Sequence, residues 1–127
     1  MNMDDIQLKE SIFYLETYGN HSLMVSFYQS HNYIENAFQY LIDKKCSVEI
    51  FVESLLVPSL KSGDFYNLLE YMFSLERSQN KLHVYYASIG KYLEKNYYLN
   101  TLFDFQLMMK VNKISSTQNS KFSTGIF

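Results

Sequence analysis

Two glutamates, Glu49 and Glu53, form the most suggestive acid–base pair in the sequence. Side chains four residues apart on a helix are neighbours, so the two carboxyl groups would share one face. Paired carboxylates carry out acid–base catalysis when one of them holds its proton at neutral pH. No third group stands at a spacing that would orient this pair. We therefore interpret the Glu49–Glu53 face as solvated.

The sequence gives less support to a metal site or a reactive thiol than to the carboxylate pair. The three histidines, His21, His31 and His83, are far apart, and neither a His-Glu-x-x-His nor a Cys-x-x-Cys spacing occurs. We expect no metal site and place each histidine at or near a helix end. Cys46 stands at a predicted helix entrance, where a thiol can have a lowered pKa and be reactive. The alternative, which we favour, is a small filler that is buried or half-buried.

Basic residues near aromatic ones are the pattern of single-stranded nucleic-acid binders. Lys44-Lys45 and the pair Lys91 and Lys95 fit this pattern only weakly. Acidic residues are interspersed among them, and the net charge is −2. Bulk charge therefore gives no attraction to nucleic acid or to an anionic membrane.

The composition favours a helical protein. The 127 residues are enough for one domain or a piece of a larger one, and 47% of them are hydrophobic. Four Gly and one Pro are too few for a turn-rich β protein. A single Cys excludes an internal disulfide framework and a multi-cysteine zinc module. Because no long apolar run or basic leader is present, we expect a cytoplasmic chain.

Apolar residues recur at helical spacing in about seven segments. The predicted helices cover about 4–18, 21–30, 33–44, 65–77, 81–94 and 97–110, with a further one between Ser47 and Gly63. Ser47 is its predicted N-cap, and Pro58 should kink or restart it. Val48, Ile50 and Val52 also alternate as in a strand, but we prefer the helix. In helix 97–110 the predicted apolar residues are Tyr98, Leu102, Phe105, Met108 and Met109.

A polar residue followed by an aromatic one recurs every 32 residues, at Asn32, Asp64 and Asn96. Each is predicted to cap the helix that follows it, Asn32 together with Glu35 in a capping box. A period near 34 residues is typical of helix–turn–helix repeats, which stack into scaffolds. Three ordinary helical hairpins of similar length are an equally good interpretation.

Aromatic residues are dense in the second half of the chain. We expect most of one stripe to be helix–helix core, and any exposed part to mark a missing neighbour or partner. The stripe consists of Tyr85, Tyr86, Tyr92, Tyr97, Tyr98, Phe103 and Phe105. Residues 111–127 lose the periodicity and become rich in Ser, Thr and Asn, which predicts a flexible tail after a helical segment over 1–110.

Several of these stretches resemble the C-terminal helical region of the spastizin family of FYVE-domain-containing zinc finger proteins. The longest is residues 46–63 (CSVEIFVESLLVPSLKSG). The others are residues 26–28 (SFY), His31-Asn32, Lys95-Asn96-Tyr97-Tyr98 and residues 105–110 (FQLMMK). Their spacing and order look like the family's over about residues 18–110.

The resemblance implies a large helical scaffold without catalytic activity. It implies spatacsin and the fifth adaptor complex as partners, at late endosomes and lysosomes and at the midbody or centrosome. The family's roles include autophagic lysosome reformation and cytokinesis. The family binds zinc and phosphatidylinositol 3-phosphate through its FYVE finger, whose several cysteine ligands are not available in a chain with one Cys. No cofactor is therefore expected here.

Together these observations predict an all-α protein, an irregular α-solenoid of antiparallel helical hairpins that makes protein–protein contacts. Tyr97 and Tyr98 are the candidate partner surface. The alternative is a small autonomous ligand-binding protein or enzyme with an apolar pocket between hairpins. A closed pocket with two converging ionisable groups would favour that alternative.

Overall fold

The computed structural model describes residues 5–18, 20–79 and 82–114, and every regular element in these ranges is helical. The elements are α1 (Asp5–Tyr18), α2 (His21–Ser30), α3 (Ile34–Asp43), α4 (Val48–Phe51), a π-helical turn (Val52–Leu56), α5 (Val57–Ser62), α6 (Phe65–Gln79), α7 (His83–Lys95) and α8 (Leu99–Val111). Since α4, the π turn and α5 follow one another without a break, the described residues form seven helical rods. The all-α prediction is confirmed, whereas the solenoid arrangement stays a prediction.

The contacts divide the chain into two compact units, residues 1–71 and 72–127, and the division falls within α6. In the first unit, α2 packs against α3, the π turn and α5, and α1 packs against α2. In the second unit, α7 packs against α8. Each unit has its own set of buried apolar side chains, among them Phe38, Leu41 and Leu55 in the first and Tyr86 and Ile89 in the second.

Three aromatic rings join the helices of the first unit. Phe38 of α3 is fully buried and meets Phe51 of α4 edge to face, with 5.9 Å between ring centroids. Its ring also meets Tyr71 of α6 edge to face, at 6.3 Å. Edge-to-face pairs at these distances add to the free energy gained by burying the rings. Phe38 is therefore the side chain through which α3, α4 and α6 share one core.

Pro58 is accommodated without a break in the helix. A proline has no backbone N–H, and its ring crowds the carbonyl group four residues earlier, here that of Ser54. The preceding turn widens instead, and the N–H of Val57 donates to the carbonyl of Val52, five residues back. The predicted kink or restart is thus a π turn. The alternative of a strand at Val48–Val52 is wrong, since these residues are helical.

Five helices end in the same backbone arrangement, a Schellman motif, in which a left-handed residue lets two main-chain N–H groups reach back to the last carbonyls. The left-handed residues are Asn32, Lys45, Gly63, Tyr97 and Lys113. The residue after each of them donates its N–H to a carbonyl five positions earlier: Tyr33 to Tyr28, Cys46 to Leu41, Asp64 to Ser59, Tyr98 to Leu93 and Ile114 to Met109. These bonds satisfy carbonyl groups that a helix end would otherwise leave open.

Two of the three predicted capping residues close a helix instead of opening one. Asn32 is left-handed, with φ of 65°, and belongs to the end of α2. The N-cap of α3 is Tyr33, which makes no side-chain cap bond, so the predicted capping box with Glu35 is wrong. Asn96 is the C-cap of α7, and its Nδ2 donates to the carbonyl of Tyr92 at 2.9 Å. The N-cap of α8 is Tyr98.

The third residue of the recurrence, Asp64, directly precedes α6 as predicted, and its carbonyl accepts from the N–H of Leu68. Its carboxylate accepts from the hydroxyl of Ser62 at 2.8 Å. All three recurrence points therefore lie at the C-terminal end of a helix: α2, α5 and α7. Ser47 caps α4 as predicted, accepting from the N–H of Ile50 at 3.4 Å.

Helix boundaries moved by a few residues from their predicted places. The helix predicted over 65–77 extends to Gln79, and the one predicted over 81–94 is His83–Lys95. The helix predicted over 97–110 is Leu99–Val111, because residues 96–98 form the joint that ends α7. The predicted tail is described only to Ile114, and its residues 115–127 lie outside the described part of the chain.

Candidate interaction surface

The residues that could carry out chemistry are spread over several helices, and each of them is exposed or half-buried. Glu49 and Glu53 are both exposed, as interpreted from the sequence. His21 is the first residue of α2, and its Nδ1 lies 2.8 Å from the hydroxyl oxygen of Tyr40. His31 is the C-cap of α2, and His83 is the first residue of α7. Within the described ranges, no group of three or more His, Cys, Asp or Glu side chains is placed to hold a metal ion.

Cys46 is a free, half-buried thiol. Burial raises the pKa of this thiol, and the positive charge of Lys44 opposes the shift only in part. A raised pKa reduces the thiolate fraction at neutral pH, and the thiolate is the reactive form. The interpretation of Cys46 as a filler agrees with the structure, and the alternative of a lowered pKa is wrong.

Two grooves lie on the surface of the first unit. One, of about 670 Å³, lies between α1 and α2 and is lined by Gln7, Glu10, Ser11, Tyr14, Leu15 and Phe27. The other, of about 370 Å³, lies beside Pro58 and is lined by Gln29, Ser30, Asn32, Pro58, Lys61 and Ser62. Both are open to solvent, and each has one charged side chain. Neither is a closed pocket with converging ionisable groups, so neither favours the ligand-binding alternative.

The aromatic stripe is less buried than the sequence predicts. Only Tyr86 and Phe105 belong to the core. Tyr85 and Tyr92 are half-buried, whereas Tyr97, Tyr98 and Phe103 are exposed. The expectation that most of the stripe is core is therefore wrong, because α8 buries only the side that packs on α7, through Phe105 and Met109.

The two predicted surface residues differ from each other. Tyr97 is 83% exposed and left-handed, with φ of 61°. Tyr98 stacks on Tyr92 with 6.1 Å between ring centroids. A bulky side chain in the left-handed region strains the backbone, and the usual residue there is glycine. Tyr97 thus combines a strained backbone with a ring that contributes little burial to its own unit.

A row of exposed apolar side chains runs along α8, and of its members only Phe103 was named from the sequence, as part of the aromatic stripe. The row consists of Leu99, Phe103, Leu107 and Val111, which are 59%, 60%, 46% and 76% exposed. We call these four residues the outer stripe. Their spacing of four places them in one ridge along the helix surface. The strict four-residue recurrence was the sequence signal that could have identified them.

The opposite face of α8 is also apolar. Phe105 and Met109 are buried there, and Phe105 lies against Gly90 of α7, where an added Cβ atom would be 3.6 Å from its ring. At 3.6 residues per turn, Phe105 points about 180° away from the middle of the outer stripe. A surface helix normally has one apolar face, and a helix with two is typical of an interior position.

The sequence is similar to parts of much longer curated proteins. Zinc finger FYVE domain-containing protein 26 of Rattus norvegicus is 30% identical over 108 residues, or 85% of this chain. The protein of the same name from Homo sapiens is 29% identical over the same share. A protein of Dictyostelium discoideum is 26% identical over 112 residues, or 88% of the chain. This chain is a spastizin-like segment.

The spastizin-like segment spans about 4% of the length of these curated relatives. No family model matches it, and no solved structure matches it either. Among its described helices, none has the length and apolar character needed to cross a membrane.

The spastizin-like segment also buries two polar side-chain atoms that influence each other electrostatically, one on α6 and one on α7. The hydroxyl of Tyr86 and Oε1 of Glu76 are both buried without a hydrogen-bond partner among the described residues. Burial raises the pKa of the Tyr86 hydroxyl above its ordinary value, the negative charge of Glu76 raises it further, and Arg77 opposes the shift. A buried hydroxyl without a partner costs free energy.

Replacing Tyr97 by glycine is expected to raise the free energy of unfolding of the spastizin-like segment by about 1 kcal/mol, because glycine adopts a left-handed conformation without strain. The measurement is urea denaturation followed by circular dichroism. Lys45→Gly, at another left-handed position, is the matched control and should give a gain of similar sign. A loss of stability in Tyr97→Gly would show that the ring packs against its own unit.

Proposed function

We propose that the spastizin-like segment is a non-catalytic helical scaffold that makes protein–protein contacts. The observation that supports the proposal is the second apolar face of α8, where four large side chains in one ridge are exposed. Exposed apolar surface of this kind on a folded chain marks a contact with another macromolecule. Helical scaffolds work by presenting such faces to partners.

By similarity to the spastizin family, we propose that these contacts serve endosome and lysosome trafficking, with autophagic lysosome reformation and cytokinesis as the processes. Spatacsin and the fifth adaptor complex are the proposed partners. The proposed location is cytoplasmic, peripheral to late endosomes and lysosomes and at the midbody or centrosome. We assign neither a cofactor nor an enzyme activity to the segment. Zinc and phosphatidylinositol 3-phosphate binding would belong to a FYVE finger elsewhere in a full-length protein.

A pull-down with purified partners tests the proposal. The segment is immobilised, and retention of spatacsin and of the fifth adaptor complex is compared with retention on an unrelated helical protein. Leu107→Ser is expected to reduce retention at least about fivefold, since it removes an apolar contact worth about 1 kcal/mol or more. The double variant Tyr97→Ala/Tyr98→Ala tests the surface predicted from the sequence.

Val84→Ser is the matched control for Leu107→Ser. Val84 lies on α7 in the same unit, and its exposure of 47% equals that of Leu107 within one per cent. Its substitution should leave retention unchanged. If the unchanged segment retains neither partner above the level of the unrelated protein, the proposed partners are wrong.

A further inference from the structure

A partner that binds the outer stripe must satisfy its main-chain hydrogen bonds within itself. All of α8 between Leu99 and Val111 is helical, so its main-chain groups beyond the first turn are paired within the helix and offer no edge for an added strand. A ridge of side chains at i, i+4, i+8 and i+12 is the surface that packs into the groove of another helix. The ridge covers 12 residue steps, or about 18 Å, which is about the length of a three-turn helix.

The charges beside the ridge do not match a lipid surface. The charged side chains of α8 are Asp104 and Lys110, one of each sign. Helices that lie on anionic membranes carry several basic residues on the polar face. The flanks of the outer stripe are therefore suited to a partner with mixed charge, as a protein helix has.

The order of helices points to the same occupant. After each of the first two recurrence points, Asn32 and Asp64, the chain forms a pair of consecutive rods: α3 with the rod of α4 and α5, and then α6 with α7. Helix α8 follows the third recurrence point, Asn96, and so stands where α3 and α6 stand as the first rod of a pair. Within its unit, α8 packs against α7 on one face, and on the opposite face the outer stripe is exposed among the described residues, where a second rod could pack.

Two other partners for the outer stripe are less suitable: residues 115–127 of the same chain and a second copy of α8. Residues 115–127 contain only three large apolar residues, Phe122, Ile126 and Phe127, among many Ser, Thr and Asn, which are poor helix formers. A second copy of α8 in the antiparallel two-fold arrangement would put both Asp104 carboxylates on the same side of the seam within one turn. Such a like-charge approach is unfavourable.

We propose that the outer stripe of α8 seats an amphipathic helix of another polypeptide, whose large apolar side chains recur every fourth residue. This proposal rests on the proposed scaffold function and specifies the kind of partner. The incoming helix takes the position of the second rod, with its apolar ridge beside Phe103 and Leu107. Its backbone is satisfied internally, so affinity comes from packing.

A peptide titration tests this. The probe is a synthetic helical peptide of about 18 residues with Leu at every fourth position, one of them replaced by Trp, and with Ala, Glu and Lys elsewhere. Since the chain has no Trp, the fluorescence reports on the peptide alone. The full chain should bind this peptide at least about tenfold more tightly than a peptide of equal composition with the leucines spread around the helix.

Two variants test whether the peptide binds at the outer stripe. Phe103→Ser should weaken binding of the patterned peptide about tenfold or more, since central aromatic residues dominate such contacts. Val84→Ser should not change it, and circular dichroism should show both variants as helical as the parent. Equal binding of the two peptides, or equal binding by Phe103→Ser and the parent, would overturn the proposal.

Three further measurements test the alternative partners of the outer stripe: a second copy of the chain, residues 115–127 and a membrane. Evidence for any one of these overturns the proposal. Sedimentation at several concentrations would reveal a dimer that Phe103→Ser dissolves. Phe122→Ser in the full chain would tighten peptide binding about tenfold if residues 115–127 covered the ridge. Phosphatidylcholine–phosphatidylserine vesicles would bind the parent and not Phe103→Ser if the ridge met a membrane. If the patterned peptide binds as expected but neither proposed protein is retained in the pull-down, the helix-binding role of the outer stripe is supported and only the proposed partner proteins are wrong.

Discussion

Replacing Phe38 by alanine is expected to lower the free energy of unfolding by about 3–5 kcal/mol. The substitution removes a fully buried ring and both of its edge-to-face contacts, with Phe51 and Tyr71. It leaves a cavity where α3, α4 and α6 meet. Domains of this size are stable by about 5–15 kcal/mol, so the loss takes a large share of the total.

Urea denaturation followed by circular dichroism measures this effect. Phe103→Ala is the matched control, because it makes the same chemical change on a ring that is 60% exposed. That variant should unfold within about 0.5 kcal/mol of the parent, since alanine is a good helix former and little burial is lost. Similar losses in the two variants would mean that the ring of Phe103 is packed in solution or that the ring of Phe38 is not.

Replacing Tyr86 by phenylalanine is expected to raise the free energy of unfolding by about 1–2 kcal/mol at pH 7. The change keeps the ring, which stacks on Phe73 at 5.9 Å, and removes a buried hydroxyl without a partner among the described residues. A loss of stability would instead show that the hydroxyl is satisfied, for example by a buried water molecule.

The gain in free energy of unfolding from Tyr86→Phe should be larger at high pH. An unfolded tyrosine has a pKa near 10, and the pKa of Tyr86 in the folded chain is raised above that. Above about pH 10 the unfolded state therefore loses this proton while the folded state keeps it, and stability falls by up to about 1.4 kcal/mol per pH unit. The advantage of Tyr86→Phe should widen between pH 9 and pH 11. Val84→Ser, which alters an exposed side chain without a titratable group, should differ from the parent by the same free energy over this pH range.

The helices were predictable because apolar periodicity depends on local sequence, but several of their ends were not. Asn32 stands between two helices, and asparagine suits both an N-cap and a left-handed C-terminal position. The choice between them depends on the backbone, which closes α2 through the bond from Tyr33 to Tyr28. Asn96 differs from its prediction for the same reason. Gly63, where the sequence placed the end of the helix that begins after Ser47, does end α5 in the left-handed conformation, since glycine strongly prefers the second role.

The surface was predicted only in part. Tyr97 and Tyr98 were identified from sequence, and the structure adds the strained backbone at Tyr97. In α8, the predicted apolar set correctly included the buried Phe105 and Met109, but it missed the outer stripe. Periodicity shows where apolar residues recur along a helix. It does not show which of two apolar faces has a neighbour, because that depends on tertiary packing.

The joints between helices have a consequence for how such a chain changes over evolution. At five helix ends the closing bonds run from main chain to main chain, so they need few particular side chains. The left-handed positions are filled here by Asn, Lys, Gly, Tyr and Lys. Several residue types can therefore occupy these corners while the main-chain bonds that form them persist. A corner residue such as Tyr97 is then free to be selected for what it offers a partner.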